Sequence, residues 1–229
     1  MTTELDDFEQ RWAEFADLEH LVNHWWWRPG WKPGRSFYTW HLTFDHPGAA
    51  PLHELVARLQ HDLADVDGLD LIPQQWLHLT MQGLGFTDEV SDQDVADIVD
   101  AARDRLAFVP GFDLVLGPVE GDDEATGLLV RPRAAITWVR DLVRTAISTV
   151  WDEVPEGTEF RPHVSIAYSS ADVPTGPLRQ RLAALRGLES VTVPVRGVQL
   201  IRLNRDEQMY TWDVVAEVAL GPAGDDRDA

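Results

Sequence analysis

The sequence predicts an α+β fold: two lobes, each built on an antiparallel β-sheet, facing across a cleft with helices outside and one added N-terminal helix. Three observations carry that expectation. Stretches of alternating polarity are interleaved with stretches of helical period. A strand, a helix and a strand bearing His-apolar-hydroxyl occurs twice, over 36–86 and again over 126–170. The 229 residues, 44% apolar and 25% charged, suit one globular domain around a shared core. The expected organisation is a single bilobal domain over 1–229, with a helix and Trp-rich loop at 1–35, the core at 36–220 and an acidic tail at 221–229.

Leu5, Phe8, Trp12, Phe15, Leu18 and Val22 recur at steps of three and four, predicting an amphipathic helix over 4–22 that docks on the domain. The segment NHWWWRPGWKPGRSFYTW follows, broken by Pro29, Gly30, Pro33 and Gly34, and reads as a loop entering a strand. That strand is expected at 36–44, then a helix at about 51–65 and a strand through WLHLTMQGLGF to Phe86. A helix over about 91–107 takes Ser91 as its N-cap, with Asp94 in the first turn. Strands FDLVLGPV and TGLLVRP precede a helix over 134–152. Strand HVSIAYS, a short helix near 178–186, and a hairpin of VTVPVRGVQLIRL with QMYTWDVVAEVAL around Asn204 to Glu207 complete the order. The tail GPAGDDRDA is expected to fray.

Nineteen Lys and Arg oppose 39 Asp and Glu, a formal charge of -20 that repels long polyanions and anionic membranes. Extended duplex binding is therefore not expected. No apolar run approaches the roughly 18 residues of a membrane span, and the acidic start MTTELDDFEQ lacks the pattern of a secretory signal, so a cytoplasmic setting is the expectation. The chain has no cysteine, which removes disulfides, thiolate catalysis and zinc ribbons. Within this acidic protein, Leu21 to Phe44 holds Arg28, Lys32 and Arg35, no acidic residue, and five of the ten tryptophans.

Residues two apart on a strand share a face, so His78 and Thr80 in HLTM project together, as do His163 and Ser165 in HVSI. Leu79, Met81, Val164 and Ile166 are then expected to face the core. Two such strands facing each other bring two imidazoles and two hydroxyls onto one small tetrahedral anion. Breaking a phosphodiester beside a ribose hydroxyl needs a base for the attacking oxygen and an acid for the leaving one. Histidine does either near neutrality, and the hydroxyls can donate to nonbridging oxygens. That chemistry requires no metal and no cofactor. About 0.2 chance matches to His-apolar-Ser/Thr-apolar are expected in such a chain. There are three, the third being HLTF at His41, so pattern alone does not select the pair. Context selects His78 and His163, each on the strand after its half's helix, whereas His41 lies on the strand before one.

WLHLTMQGLGF and FRPHVSIAY resemble the paired motifs of the two-histidine (2H) phosphoesterases, a superfamily that includes bacterial RNA 2′,5′-ligases and cyclic nucleotide phosphodiesterases. The resemblance covers about residues 36–220 and implies His78, Thr80, His163 and Ser165 as the catalytic set. It also implies two sheet lobes with the motif strands facing across a cleft, in agreement with the internal repeat. The expected activity is cleavage of a 2′,3′-cyclic phosphate or a 2′,5′ linkage in a small nucleotide or short RNA end. Which histidine is base stays open, as does oligomeric state, with a monomer the default. Where the ligase branch often carries a basic residue after the first motif this chain has Gln82, and after the second it has Tyr168.

Candidate substrate-binding residues are His41, Trp27, Arg28, Gln82, Arg161 and Tyr168. His41 lines the cleft, or is a surface or satisfied residue; Arg161 reaches the phosphate or caps its loop. The tryptophan cluster stacks on bases or pins the N-terminal helix. Tyr168 has the opposite strand parity to His163 and enters the site only if a bulge or the strand's end turns it inward. His20, His46, His53 and His61 read as surface. Two other classes compete: a noncatalytic nucleotide-binding module that keeps the cleft, and a three-histidine metal site of His41, His78 and His163.

Overall fold

The computed structural model describes residues 4–222 of the chain. The expected element order is present. Helix α1 (Glu4–Asp17) precedes β1 (Phe37–Thr43), α2 (Ala50–Leu63), β2 (Leu69–Leu71), β3 (His78–Phe86) and α3 (Asp92–Leu106). Then come β4 (Phe112–Gly121), β5 (Ala125–Arg131), α4 (Arg133–Ile147), β6 (His163–Ser169), α5 (Gly176–Leu185), β7 (Val191–Val195), β8 (Gly197–Asn204) and β9 (Thr211–Ala219). Most of the tail 221–229 lies outside the described residues.

The strands form two antiparallel sheets, ordered β3-β1-β8-β9 and β2-β6-β5-β4-β7. The internal repeat is visible in three dimensions: β1 pairs antiparallel with β3, and β5 pairs antiparallel with β6. Each repeat's helix crosses over to the other repeat's sheet. Helix α2 leaves β1 yet packs on β6 and β7, and α4 leaves β5 yet packs on β3 and α3. Apolar residues at helical spacing make that docking possible: Leu52, Val56, Leu59 and Leu63 on α2, and Ile136, Val139 and Val143 on α4, are all buried. The two lobes thereby share one continuous apolar core, which includes Leu79, Met81, Val164 and Ile166.

Ser91 caps α3 by accepting a hydrogen bond from Asp94 N at 3.1 Å, as its position predicts. Three expectations are corrected. Helix α1 stops at Asp17 because the backbone beyond it bonds elsewhere: Leu21 N to Val173 O, Val22 N to Asp123 O and His24 N to Ser169 O. Val22 is accordingly exposed and not part of the stripe. Helix α4 ends at Ile147, not 152. The run VTVPVRGVQLIRL is two strands: β7 pairs with β4 in one sheet, the chain breaks at Arg196, and β8 joins the other. Pro194 is tolerated because β7 is an edge strand. Unforeseen is β2, three residues paired with the end of β6.

Candidate active site

Strands β3 and β6 approach each other across the gap between the sheets. His78 opens β3 and His163 opens β6, and both are held the same way. Nδ1–H of His78 donates to Trp76 O at 2.8 Å, and Nδ1–H of His163 donates to Arg161 O at 3.0 Å. In each, the carbonyl two residues upstream fixes the tautomer and leaves Nε2 for the cavity. That cavity, about 470 Å³, is lined by both histidines and by Thr80 and Ser165. The flanking Leu79 and Val164 are fully buried, as strand parity predicts.

Each motif hydroxyl is followed by a β-bulge. On β3, His41 pairs with Thr80 and Trp40 with Gln82, so Met81 is the extra residue. On β6, Gly127 pairs with Ser165 and Thr126 with Ala167, so Ile166 is extra. A bulge inverts which residues face the cleft, and it does so here with opposite outcomes for two expected residues. Tyr168 is turned inward, where it lines the cavity and stacks on His24. Gln82 is turned away: it is fully buried, its Nε2 donates to Gly83 O and Pro155 O, and its Oε1 accepts from Arg144 Nη1. It is removed from the substrate-binding set. Gly83 stands at the position in β3 that Tyr168 occupies in β6, and a Cβ there would lie 2.3 Å from Glu156 Oε1. The missing side chain makes room for the Glu156 carboxylate, which accepts from Gly83 N and lines the cavity.

His41 is buried beside the pair. Its ring stacks on that of His78, and its Nε2 lies 3.2 Å from Thr80 Oγ1. Its Nδ1 is buried without a partner, so the tautomer that strands no buried N–H has Nε2–H donating to Thr80. That bond leaves the Thr80 hydroxyl proton free to point elsewhere. Burial holds His41 well below the usual imidazole range, reinforced by its neighbour His78. Burial also pushes His78 down to about 4, with a smaller push from His163 against the raising effect of the Trp76 carbonyl. His163 is exposed instead, beside a recess lined by Glu120 and Asp122. The His41 and His78 nitrogens have separate partners, His41 Nε2 at Thr80 Oγ1 and His78 Nδ1 at Trp76 O. Among the described residues no group of three His, Cys, Asp or Glu is arranged to hold a metal.

The remaining expected residues sit at the rim. Arg161 pairs with Asp122 at 3.5 Å and Glu120 at 3.8 Å, so its side chain holds the loop while its carbonyl orients His163. Arg28 is bound to Glu124 and stacks over Trp26. Trp27 is half exposed and does not line the cavity; Trp31 does. Trp25 is a pin, buried with its Nε1 donating to Asp70 at 2.8 Å. Sequence reading missed His24, which lines the cavity between Glu124 and the Tyr210 hydroxyl and stacks on Tyr168. Burial, with Arg28, pushes His24 down to about 4. Phe37, Thr39, Leu203 and Tyr210 also line the cavity. For Phe37 and Thr39 the signal was present, since they alternate with His41 along β1.

Two interleaved β-α-β repeats, each presenting His and a hydroxyl on its last strand toward one cavity, define the 2H phosphoesterase architecture. The chain belongs to the 2′-5′ RNA ligase superfamily, whose family model matches residues 47–207. No curated protein matches it in sequence. Among solved structures, TT0787 of Thermus thermophilus is similar at 18% identity and a TM-score of 0.61, over 82% of this chain and 98% of that one. E. coli LigT complexed with 3′-AMP is similar at 17% identity and a TM-score of 0.59, over 81% and 98%. LigT complexed with ATP gives 17% and 0.56, over 82% and 99%. At these identities the likeness is one of fold.

Proposed function

We propose that this protein is a metal-independent phosphoesterase acting on small ribonucleotide substrates, a 2′,3′-cyclic phosphate or a 2′,5′-phosphodiester, by two-histidine acid–base catalysis. One observation carries the reading: two imidazoles from symmetry-related strands, each with Nδ1 tied to the carbonyl two residues before it and a hydroxyl two residues after it, line one cavity. In hydrolysis of a cyclic phosphate, neutral His78 takes the proton of the attacking water through Nε2, because a group pushed down to about 4 is unprotonated at pH 7. His163 gives its proton to the departing ribose oxygen. Thr80 and Ser165 donate to the nonbridging oxygens as charge gathers there. In joining a 5′-hydroxyl to the cyclic phosphate that hydroxyl takes the place of the water and the roles are the same; in the reverse direction, where the ribose hydroxyl attacks, the two histidines exchange them.

Small substrates suit the charge of the site. Asp122, Glu124 and Glu156 line the cavity, and Arg161 and Arg28 offset only the first two. One phosphate is accommodated between imidazoles and hydroxyls; a run of them meets a body at -20. The similar LigT structures are complexes with phosphate, 3′-AMP, ATP and NADP+, which supports a small phosphate-bearing ligand. The test is turnover of 2′,3′-cyclic nucleotides in EDTA. Conversion to a nucleoside monophosphate is expected. Tight nucleotide binding without turnover would identify a binding module instead, and activity that chelation removes and zinc restores would establish a metal site.

A further inference from the structure

The Glu156 carboxylate lines the cavity yet has no part in the two-histidine chemistry. Glu156 lies in the loop between α4 and β6 with a left-handed backbone, φ 62°, which a non-glycine residue rarely adopts. Two arginines of α4 hold the loop in place. Arg140 donates to Gly157 O at 2.8 Å and Thr158 O at 3.1 Å, and Arg144 donates to Pro155 O and Glu156 O, both at 3.2 Å. These bonds go to backbone carbonyls. The carboxylate accepts from the neutral Gly83 N at 3.0 Å, which leaves lone pairs on both of its oxygens for a ligand. Register locates the group relative to the chemistry. Along β1, His41, Thr39 and Phe37 stand opposite Thr80, Gly83 and Phe86 of β3. The Gly83 row is therefore one pleat repeat, about 7 Å, from the row that holds the phosphate. A Cβ at Gly83 would meet Glu156 Oε1 and, at 3.0 Å, Phe37 Cε1, so carboxylate and ring adjoin over that glycine. Trp31, 5.9 Å from Phe37 between ring centroids, lines the same end of the cavity.

We infer that Glu156 selects guanine, its carboxylate accepting N1–H and N2–H from the base of a nucleotide whose phosphate lies between His78 and His163. The inference rests on the two-histidine reading above. With the phosphate on the 2′ and 3′ oxygens, the ribose spans the step from the Thr80 row to the Gly83 row. The base then arrives beside Phe37 and Trp31, which offer stacking surface. An acceptor-only group at that place discriminates by edge. Guanine presents two adjacent donors. Adenine and cytosine present an amino group beside a ring nitrogen, whose lone pair would oppose the second carboxylate oxygen. Uracil presents one N–H flanked by two carbonyls. Guanine alone satisfies both oxygens, and the clamped loop fixes them before the ligand arrives. A further phosphate at this place would meet an anion that no neighbouring arginine offsets, since Arg140 and Arg144 are committed to carbonyls.

Base preference is read without turnover from the calorimetric affinities of 3′-GMP, 3′-IMP and 3′-AMP. Wild-type protein should bind 3′-GMP about tenfold tighter than 3′-AMP, within the range of one bidentate base contact. Binding of 3′-IMP, which lacks the N2 amino group, should fall between them. Glu156→Gln keeps an acceptor for Gly83 N but sets an NH2 group against the guanine donors. The preference should then drop to within about twofold, through loss of 3′-GMP affinity. The kcat/KM values of 2′,3′-cyclic GMP and 2′,3′-cyclic AMP should follow the same ratio in both proteins. Equal binding of 3′-GMP and 3′-AMP by wild type, a preference that survives in Glu156→Gln, or equal weakening of both ligands overturns the assignment. Because the ratio is the readout, damage to the site as a whole moves both ligands alike. Failure of the two-histidine mechanism appears separately, as a guanine preference in binding with no turnover of either cyclic nucleotide.

Discussion

The imidazoles of His41 and His78 lie face to face, ring centroids 4.7 Å apart and planes 6° from parallel. The stack joins a motif histidine to a residue outside either chosen motif, and His41 also reaches Thr80. One buried ring therefore braces both members of the first motif. His41→Ala should lower kcat by up to about 10²-fold, the scale of misplacing a reacting group by an ångström, with KM little changed. His41→Phe keeps the stack but not the hydrogen bond and should fall between Ala and wild type. Steady-state kinetics on a 2′,3′-cyclic nucleotide decide this; equal loss in the two variants would contradict a bracing role.

The hydroxyls are expected to act on the transition state. Thr80→Ala and Ser165→Ala should each reduce kcat by about 10²-fold, as loss of one preorganised donor does. Thr80→Ser should recover most of the activity, and Thr80→Val should not.

Acid should destabilise the fold before it titrates the carboxylates. His78 is held at about 4 against 6.5 for the free side chain. As pH falls, the unfolded chain takes up the proton first, so the stability from neutral His78 is full above about 6.5 and is lost between there and 4. The difference corresponds to about 3 kcal/mol. His24 shifts in the same direction. Urea midpoints should fall steeply across pH 6.5 to 4, and His78→Gln, whose amide does not titrate, should flatten that slope.

Within the Trp-rich segment the roles divide by position. Trp31 lines the cavity and packs edge-on against Phe86, 5.3 Å between centroids, so Trp31→Ala should raise KM for nucleotides more than it lowers kcat. Trp27→Ala should leave both unchanged. Trp25→Ala should instead lower stability through loss of a buried ring and its bond to Asp70.

Period and parity made much of this legible. The helical stripes, the Ser91 cap and the alternation of His, apolar and hydroxyl residues are local properties, and they placed the two repeats and the core-facing Leu79 and Val164. What escaped the sequence is set by partners distant along the chain. The bulges at Met81 and Ile166 arise where neighbouring strands differ by one residue in register, and they exchanged the fates of Gln82 and Tyr168. The break at Arg196 depends on two sheets competing for one apolar run. Helix α1 ended early because residues 21–24 found hydrogen-bond partners at Val173, Asp123 and Ser169. His24 was invisible for the same reason: its partners, Glu124 and Tyr210, are 100 and 186 residues away.

The most direct test compares single turnover of a 2′,3′-cyclic nucleotide by wild type, His78→Ala, His163→Ala and the double variant, with near-UV circular dichroism to verify packing. If the two imidazoles act as one acid–base unit, each single variant loses about 10² to 10⁴ in rate, and the double variant loses little more than either. A single variant that keeps near wild-type turnover while remaining folded would contradict the mechanism.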